Sequence, residues 1–248
     1  MNFPVYTQPI PAITTEQMVE VDRLMIEKYQ ITLLQMMENA GRNLAVLSRE
    51  RFLGGNVQKK RVVVLAGSGG NGGGALVCAR RLCIWGANVQ IVLSHPEDHF
   101  TDTVLHQFEI LKRMGEPFIH GEIVDRLATA HLDLIIDGVI GYSLEGNPRG
   151  QSAHLIRWAN AHAAPILALD TPSGLNLTNG EVGTPAIKAT ATMTLALPKK
   201  GLYEAQENVG ELYLADISVP PALYKAPSLG LQVPDIFKER DIVHLSPQ

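Results

Sequence analysis

Arg61-Val-Val-Val-Leu-Ala66-Gly67-Ser-Gly69-Gly70-Asn71-Gly72-Gly73-Gly74-Ala75, running on to Ala79-Arg80-Arg81-Leu82, is the stretch that decides the fold. A β-branched apolar run reads as a strand buried on both faces. Six glycines follow within eight positions, and a helix-compatible segment follows them. The spacing Gly67-x-Gly69-x-x-Gly72 is that of the dinucleotide fingerprint. A glycine-rich turn ahead of a helix tolerates positive φ, lets a ligand approach the backbone and leaves N–H groups free to face an anion. The reading is a phosphate-binding turn of an α/β fold, with an ordinary tight turn as the alternative.

The same alternation extends on both sides. Toward the N-terminus, three prolines in the first 13 residues indicate an extended arm. Thr14-x-x-Gln17 and Thr32-x-x-Gln35 each match a capping box. Met18, Val21 and Met25 form one helical stripe; Leu33, Met36, Met37, Ala40, Leu44 and Leu47 form another. Gly54-Gly55-Asn56 closes this region. Beyond the glycines, a helix is expected from Gly73 to Trp85 and a strand from Asn88 to Leu93. A helix from Asp102 to Met114, with Thr101 as a candidate N-cap, leads to a short strand at Phe118-Ile119. A strand from Leu132 to Ile136, a helix from Ser152 to His162 and a strand from Pro165 to Leu169 follow. Apolar strands separated by helices indicate a mostly parallel sheet covered on both faces. Ala189 to Leu197 and Glu211 to Ala215 read as further strands with no clear helix between them, and they extend the sheet at one edge. From Pro220 the chain is proline-rich and weakly patterned. With no repeat or linker, residues 1–248 form one domain: a helical segment at 14–53, a core at about 11–217 and a tail at 220–248.

Composition narrows the function. The chain is 46% hydrophobic and 19% charged, with a formal charge of −4. That balance lacks the basic surplus of a nucleic-acid binder. No apolar run approaches the length that spans a bilayer, and the N-terminus lacks a signal-peptide pattern, so the expected location is cytoplasmic. Cys78 and Cys83 read as small hydrophobes in a reducing compartment. The eight histidines show no metalloprotease or zinc spacing, and most of them read as surface residues.

Open parallel sheets bind ligands beyond the carboxyl ends of their strands. Three strands end there in unusual residues: Gly67 to Gly74, Asp137-Gly138-Val-Ile-Gly141-Tyr-Ser143, and Asp170-Thr171-Pro172-Ser173-Gly174. Together they place two carboxylates and several hydroxyls beside the glycines, although Asp137 and Asp170 each also suit a turn or an N-cap. The second strand ends Ser94-His95-Pro96, without the acidic residue of an NAD dehydrogenase, and no Lys-Ser/Thr pair follows the glycines as in a Walker loop. Lys199-Lys200-Gly201 fits either a solvated turn or a phosphate contact.

These segments resemble the YjeF N-terminal domain family, the NAD(P)H-hydrate epimerases. The glycine stretch is similar to G-x-G-N-N-G-G-D-G, Asp170-Thr-Pro-Ser-Gly174 to D-x-P-S-G, and Asp137 to Ser143 to a D-x-x-x-G-x-G-like loop. Leu34 to Arg42 resembles L-M-E-x-A-G, and Leu197-Pro198-Lys199 a late P-K step. Residue for residue, the chain departs at Gly70, where the family has asparagine, and at Gly74, where it has aspartate. The resemblance implies a three-layer α/β/α sandwich with a Rossmann-like sheet, usually a homodimer. It implies interconversion of the R and S epimers of hydrated NADH and NADPH, with a separate dehydratase consuming the product. It implies K+ held by Asn71, Asp137 and Ser173 with carbonyls of the 137–143 loop. Substrate would lie across Gly70, Asn71, Gly72, Gly73, Gly74, Gly141, Tyr142, Ser143, Leu144, Glu145, Gly146, Asn147 and Asp170. Asp170 is the candidate proton shuttle at C6. The two departures also fit a second reading on the same fold, a non-catalytic or altered-specificity module that binds a nucleotide or ADP-ribosyl ligand, or serves in dimerisation.

Overall fold

A computed structural model describes residues 3–127, 131–142, 144 and 146–246. In chain order the elements are β1 (Val5–Tyr6), α1 (Thr15–Glu27), α2 (Leu33–Leu47), β2 (Arg61–Ala66), α3 (Gly70–Ile84), β3 (Asn88–Leu93), α4 (Asp102–Met114) and β4 (Phe118–His120). They continue with β5 (Leu134–Gly138), α5 (Gly150–Asn160), β6 (Ile166–Leu169), β7 (Ala191–Leu195), α6 (Lys200–Glu204), α7 (Gln206–Val209), β8 (Glu211–Ala215), α8 (Pro221–Tyr224) and β9 (Ile242–Leu245). The described strands form one sheet in the order β1-β9-β8-β7-β6-β5-β2-β3-β4. Every pairing is parallel except β8 with β9.

The side-chain period of two sorts β2 between two cores. Val62, Val64 and Ala66 join the larger cluster, with residues of α1 to α4, while Val63 and Leu65 join the smaller one, with Leu155, Ile156, Trp158 and Ala159 of α5. The sheet is therefore the middle of three layers. Both capping boxes form: Thr14 and Thr32 accept from the backbone of Gln17 and Gln35, whose side chains reach back to the cap N–H groups. Arg80 ties three helices together, donating to Glu38 of α2 at 2.6 and 2.7 Å and to Gln107 of α4 at 2.8 Å. Register sets the strand ends level. Asp137 of β5 lies opposite Leu65 of β2 and Ala168 of β6.

Several sequence expectations change. Helix α3 begins at Gly70 rather than Gly73, so Gly70 to Gly74 are its first turn, with Gly69 as N-cap. None of the glycines from 67 to 74 has a positive φ. Close approach explains them better than left-handed backbone. A Cβ on Gly67 would stand 2.0 Å from the Val139 carbonyl oxygen, and one on Gly72 would stand 1.9 Å from the Gly67 carbonyl oxygen. Thr101 occupies the N-cap position of α4, but its side chain makes no capping bond. The short helices α6 and α7 lie between β7 and β8. The weakly patterned tail holds a strand: β9 pairs antiparallel with β8, and the N-terminal arm adds β1 to its outer side. Among the described residues, no helix is long and apolar enough to cross a membrane.

Candidate functional site

The carboxyl ends of β2, β5 and β6 meet at two adjoining cavities. The larger one, about 300 Å³, is walled by Ser68 to Gly72 at the start of α3, by Val139 to Tyr142 after β5, and by His95 after β3. The N–H groups of Gly70, Asn71 and Gly72 precede the first helical bond, from Gly73 to the Gly69 carbonyl, and the helix dipole favours an anion there. The smaller cavity, about 120 Å³, is lined by Asp22, Met36, Met37, Leu169, Asp170 and Ile217, among others. Gly70, Asn71 and Tyr142 line both. A polar cradle therefore opens onto a small, mostly apolar chamber with carboxyl groups in its wall.

Asp170 follows β6 at φ 62°, a left-handed conformation that an aspartate tolerates at some cost. The strain is held by three donors converging on Oδ1. They are the Leu195 N–H at 3.1 Å, the Thr194 hydroxyl at 3.2 Å and the Lys199 ammonium in a short ion pair. Lys199 is fully buried and also donates to the Leu195 carbonyl at 2.9 Å. It is neither the solvated turn nor the free phosphate contact that its sequence suggests. Because Oδ1 takes all three bonds, Oδ2 is the atom of Asp170 left for a ligand.

Asp137 is fully buried at the end of β5. Its Oδ1 accepts from the Ser173 hydroxyl at 2.6 Å and the Val139 N–H at 3.2 Å, and its Oδ2 from the Ser173 N–H at 2.8 Å. These donors are neutral. Burial pushes its carboxyl up to about 6, and the bonds from Ser173 and Val139 offset only part of that. The Ser173 hydroxyl accepts from the Ile140 N–H at 2.8 Å and lies 3.3 Å from the Ile140 carbonyl. The Asn71 amide nitrogen donates to the Leu169 carbonyl at 2.7 Å and reaches the Ile140 carbonyl at 3.5 Å. The Asn71 amide nitrogen and the Ser173 hydroxyl thus meet at the Ile140 carbonyl, and Ser173 links Asp137 to them. A buried carboxyl with neutral partners, beside hydroxyl and carbonyl oxygens, suits a hard cation. Among the described residues, no group of three His, Cys, Asp or Glu is arranged to hold a metal.

The other residues expected at the site are scattered. Gly141 faces Asn71 so closely that a Cβ would stand 2.8 Å from its Oδ1. A Cβ on Gly73 would meet Met37 of α2, and one on Gly74 would meet Leu169 of β6 and Ala40 of α2, so both face packed side chains. The space over Gly70 is open. Asn147 accepts from the Thr184 N–H at 2.8 Å, and it, Gly146 and Leu144 lie off both cavities. Ser143 and Glu145 lie outside the described residues. Sequence reasoning missed two wall residues, His95 and Asp22, and the buried role of Lys199. His95 carries no ligand spacing in the sequence, yet it lies just past β3, after Ser94, at the ligand edge. Asp22 is a single acid on an amphipathic helix, and the Asp170 partnership of Lys199 needed the fold to be seen.

Residues 33–201 match the family described as YjeF-related protein N-terminus. The chain belongs to this YjeF-related family. It is 42% identical over 219 residues to the NAD(P)H-hydrate epimerase of Dehalogenimonas lykanthroporepellens, covering 88% of this chain and 86% of the relative. It is 34% identical over 225 residues to the bifunctional NAD(P)H-hydrate repair enzyme Nnr of Salinibacter ruber, covering 85% of this chain but 41% of that enzyme. The crystal structure of the yeast protein YNL200c superposes with a TM-score of 0.80 at 25% identity, covering 95% of this chain and all of that one. Within the YjeF-related match lie all three strand ends that build the cavities, while Asp22 and the β9 tail fall outside it.

Proposed function

We propose that this protein is an NAD(P)H-hydrate epimerase, interconverting the R and S epimers of NADHX and NADPHX. One observation carries the reading. The polar cradle at the start of α3 opens directly onto a chamber holding Asp170, in a chain 42% identical to a protein named for that activity. The cradle suits the pyrophosphate, and the small chamber suits the hydrated ring. Asp170, fixed by Lys199, is the group proposed to move the proton at the C6 hydroxyl. We further propose that Asn71, Asp137, Ser173 and the Ile140 carbonyl hold K+. When bound, the ion supplies positive charge that balances the buried Asp137 carboxylate. A homodimer, a cytoplasmic location and a separate dehydratase that consumes one epimer complete the proposal.

The deciding experiment incubates the protein with R-NADHX and an S-specific dehydratase. Consumption of both epimers faster than spontaneous epimerisation supports the reading. No acceleration overturns it. Asp170→Asn with unchanged turnover would remove Asp170 from the mechanism.

A further inference from the structure

The smaller cavity has a second carboxyl. Asp22, on α1, lines it together with Asp170, and its Oδ2 accepts a hydrogen bond of 2.9 Å from the Tyr142 hydroxyl. The two carboxyls come from different layers, Asp170 from the end of the sheet and Asp22 from the helices that cover one face. They are also held differently. Asp170 is paired with a buried ammonium, whereas Asp22 has a neutral phenol as its partner. The Asp22 carboxyl lies above its ordinary range because of burial, against the lowering effects of the Tyr142 bond and of Lys199, with Asp170 adding to the rise. Two carboxyls in the wall of one cavity, one bound to an ammonium and the other to a phenol hydroxyl, offer a reacting ring two distinct proton-transfer groups.

Inversion at C6 by loss and return of the hydroxyl needs both. The oxygen leaves from one face of the ring and arrives at the other, so one group serves the departing hydroxyl and another the incoming water. We propose that Asp22, positioned by Tyr142, is a second catalytic carboxyl of the epimerisation. It gives its proton to the C6 hydroxyl, the C6–O bond breaks, and water departs. The N1 lone pair forms the C6=N1 bond. A second water adds to C6 from the opposite face and returns that electron pair to N1, and its proton passes to Asp170. The turnover leaves Asp22 ionised and Asp170 protonated. Conversion in the opposite direction, or proton exchange with solvent, resets the pair.

This inference rests on the epimerase reading, and the test separates the two. Wild-type enzyme is first assayed for accelerated epimerisation; no acceleration overturns both. With an active wild type, Asp22→Asn is expected to lower kcat by ~100-fold or more with KM changed less than about three-fold, and Asp22→Glu to restore part of the loss. Tyr142→Phe, which keeps the carboxyl but removes its hydrogen bond, is expected to lower kcat by ~10-fold. Circular dichroism and melting temperature establish that each variant folds. A folded Asp22→Asn with kcat within about three-fold of wild type overturns the inference and leaves the epimerase standing. A readout independent of any variant is single-turnover epimerisation in ¹⁸O-water. Label at C6 of each inverted product is expected; inversion with the original oxygen retained points to ring opening and overturns the two-carboxyl route.

Discussion

Replacing Lys199 with methionine removes the ammonium that neutralises Asp170 while keeping most of the side-chain volume. Lys199 is fully buried and Asp170 is 3% exposed, so water cannot take over the lost role. The Leu195 carbonyl loses a donor at 2.9 Å, and the Thr194 hydroxyl loses a contact at 3.2 Å. Breaking a buried ion pair from one side costs about 3–5 kcal/mol, because a charge is left uncompensated. The lost bonds overlap with that cost rather than adding to it. At ~2–4 °C per kcal/mol for a chain of this size, Lys199→Met is expected to melt about 6–20 °C below wild type. Denaturant unfolding of Lys199→Met, Asp170→Asn and the double variant tests the cause. The double variant is expected to be more stable than Lys199→Met alone, because it removes the orphaned charge. A Lys199→Met protein within about 1 kcal/mol of wild type, or a double variant that is the least stable of the three, would refute the buried-pair account.

The glycines give a paired expectation. Gly72→Ala would place its Cβ 1.9 Å from a backbone oxygen, so expression as folded protein is expected to fail; Gly70→Asn enters open space and is expected to melt close to wild type. Gly74→Asp would place its Cβ 2.7 Å from the end of Leu169, and repacking that flexible side chain is expected to cost about 1–3 kcal/mol in denaturant unfolding. The raised Asp137 carboxyl gives a pH dependence. Its native value of about 6 exceeds the ordinary 3.8, so the native state binds more protons between them. Its contribution to stability is therefore most favourable below 3.8 and declines as pH rises through 6, by about 3 kcal/mol in all. Unfolding curves from pH 4 to 7 in K+-free buffer measure this. On the proposed K+ site, added K+ is expected to stabilise the protein more at pH 7 than at pH 5, since only the ionised carboxyl attracts it.

Much of the molecule was legible along the chain because it depends on local pattern. Val62 to Ala66, Leu134 to Ile136 and Ile166 to Leu169 are short apolar runs that only a doubly covered sheet can bury, and the two Thr-x-x-Gln boxes mark helix starts through bonds made within four residues. The glycine stretch, with Asp137, Asp170 and Ser173 after strands, located the ligand edge, because parallel strands bring their carboxyl ends together. Tertiary structure decided what each of these residues does there. Gly67 and Gly72 answer to carbonyls that approach them across the turn, and Gly73 and Gly74 to side chains of α2, α4 and β6, so composition could not separate packing glycines from the open Gly69 and Gly70. Lys199 and Asp170 stand 29 residues apart, and Asp22 and Tyr142 stand 120 apart. No periodicity encodes such pairs. They exist because β6 and β7 are neighbours in the sheet and because α1 lies over its edge, and burial there turns ordinary carboxyls into groups able to hold a proton or a cation.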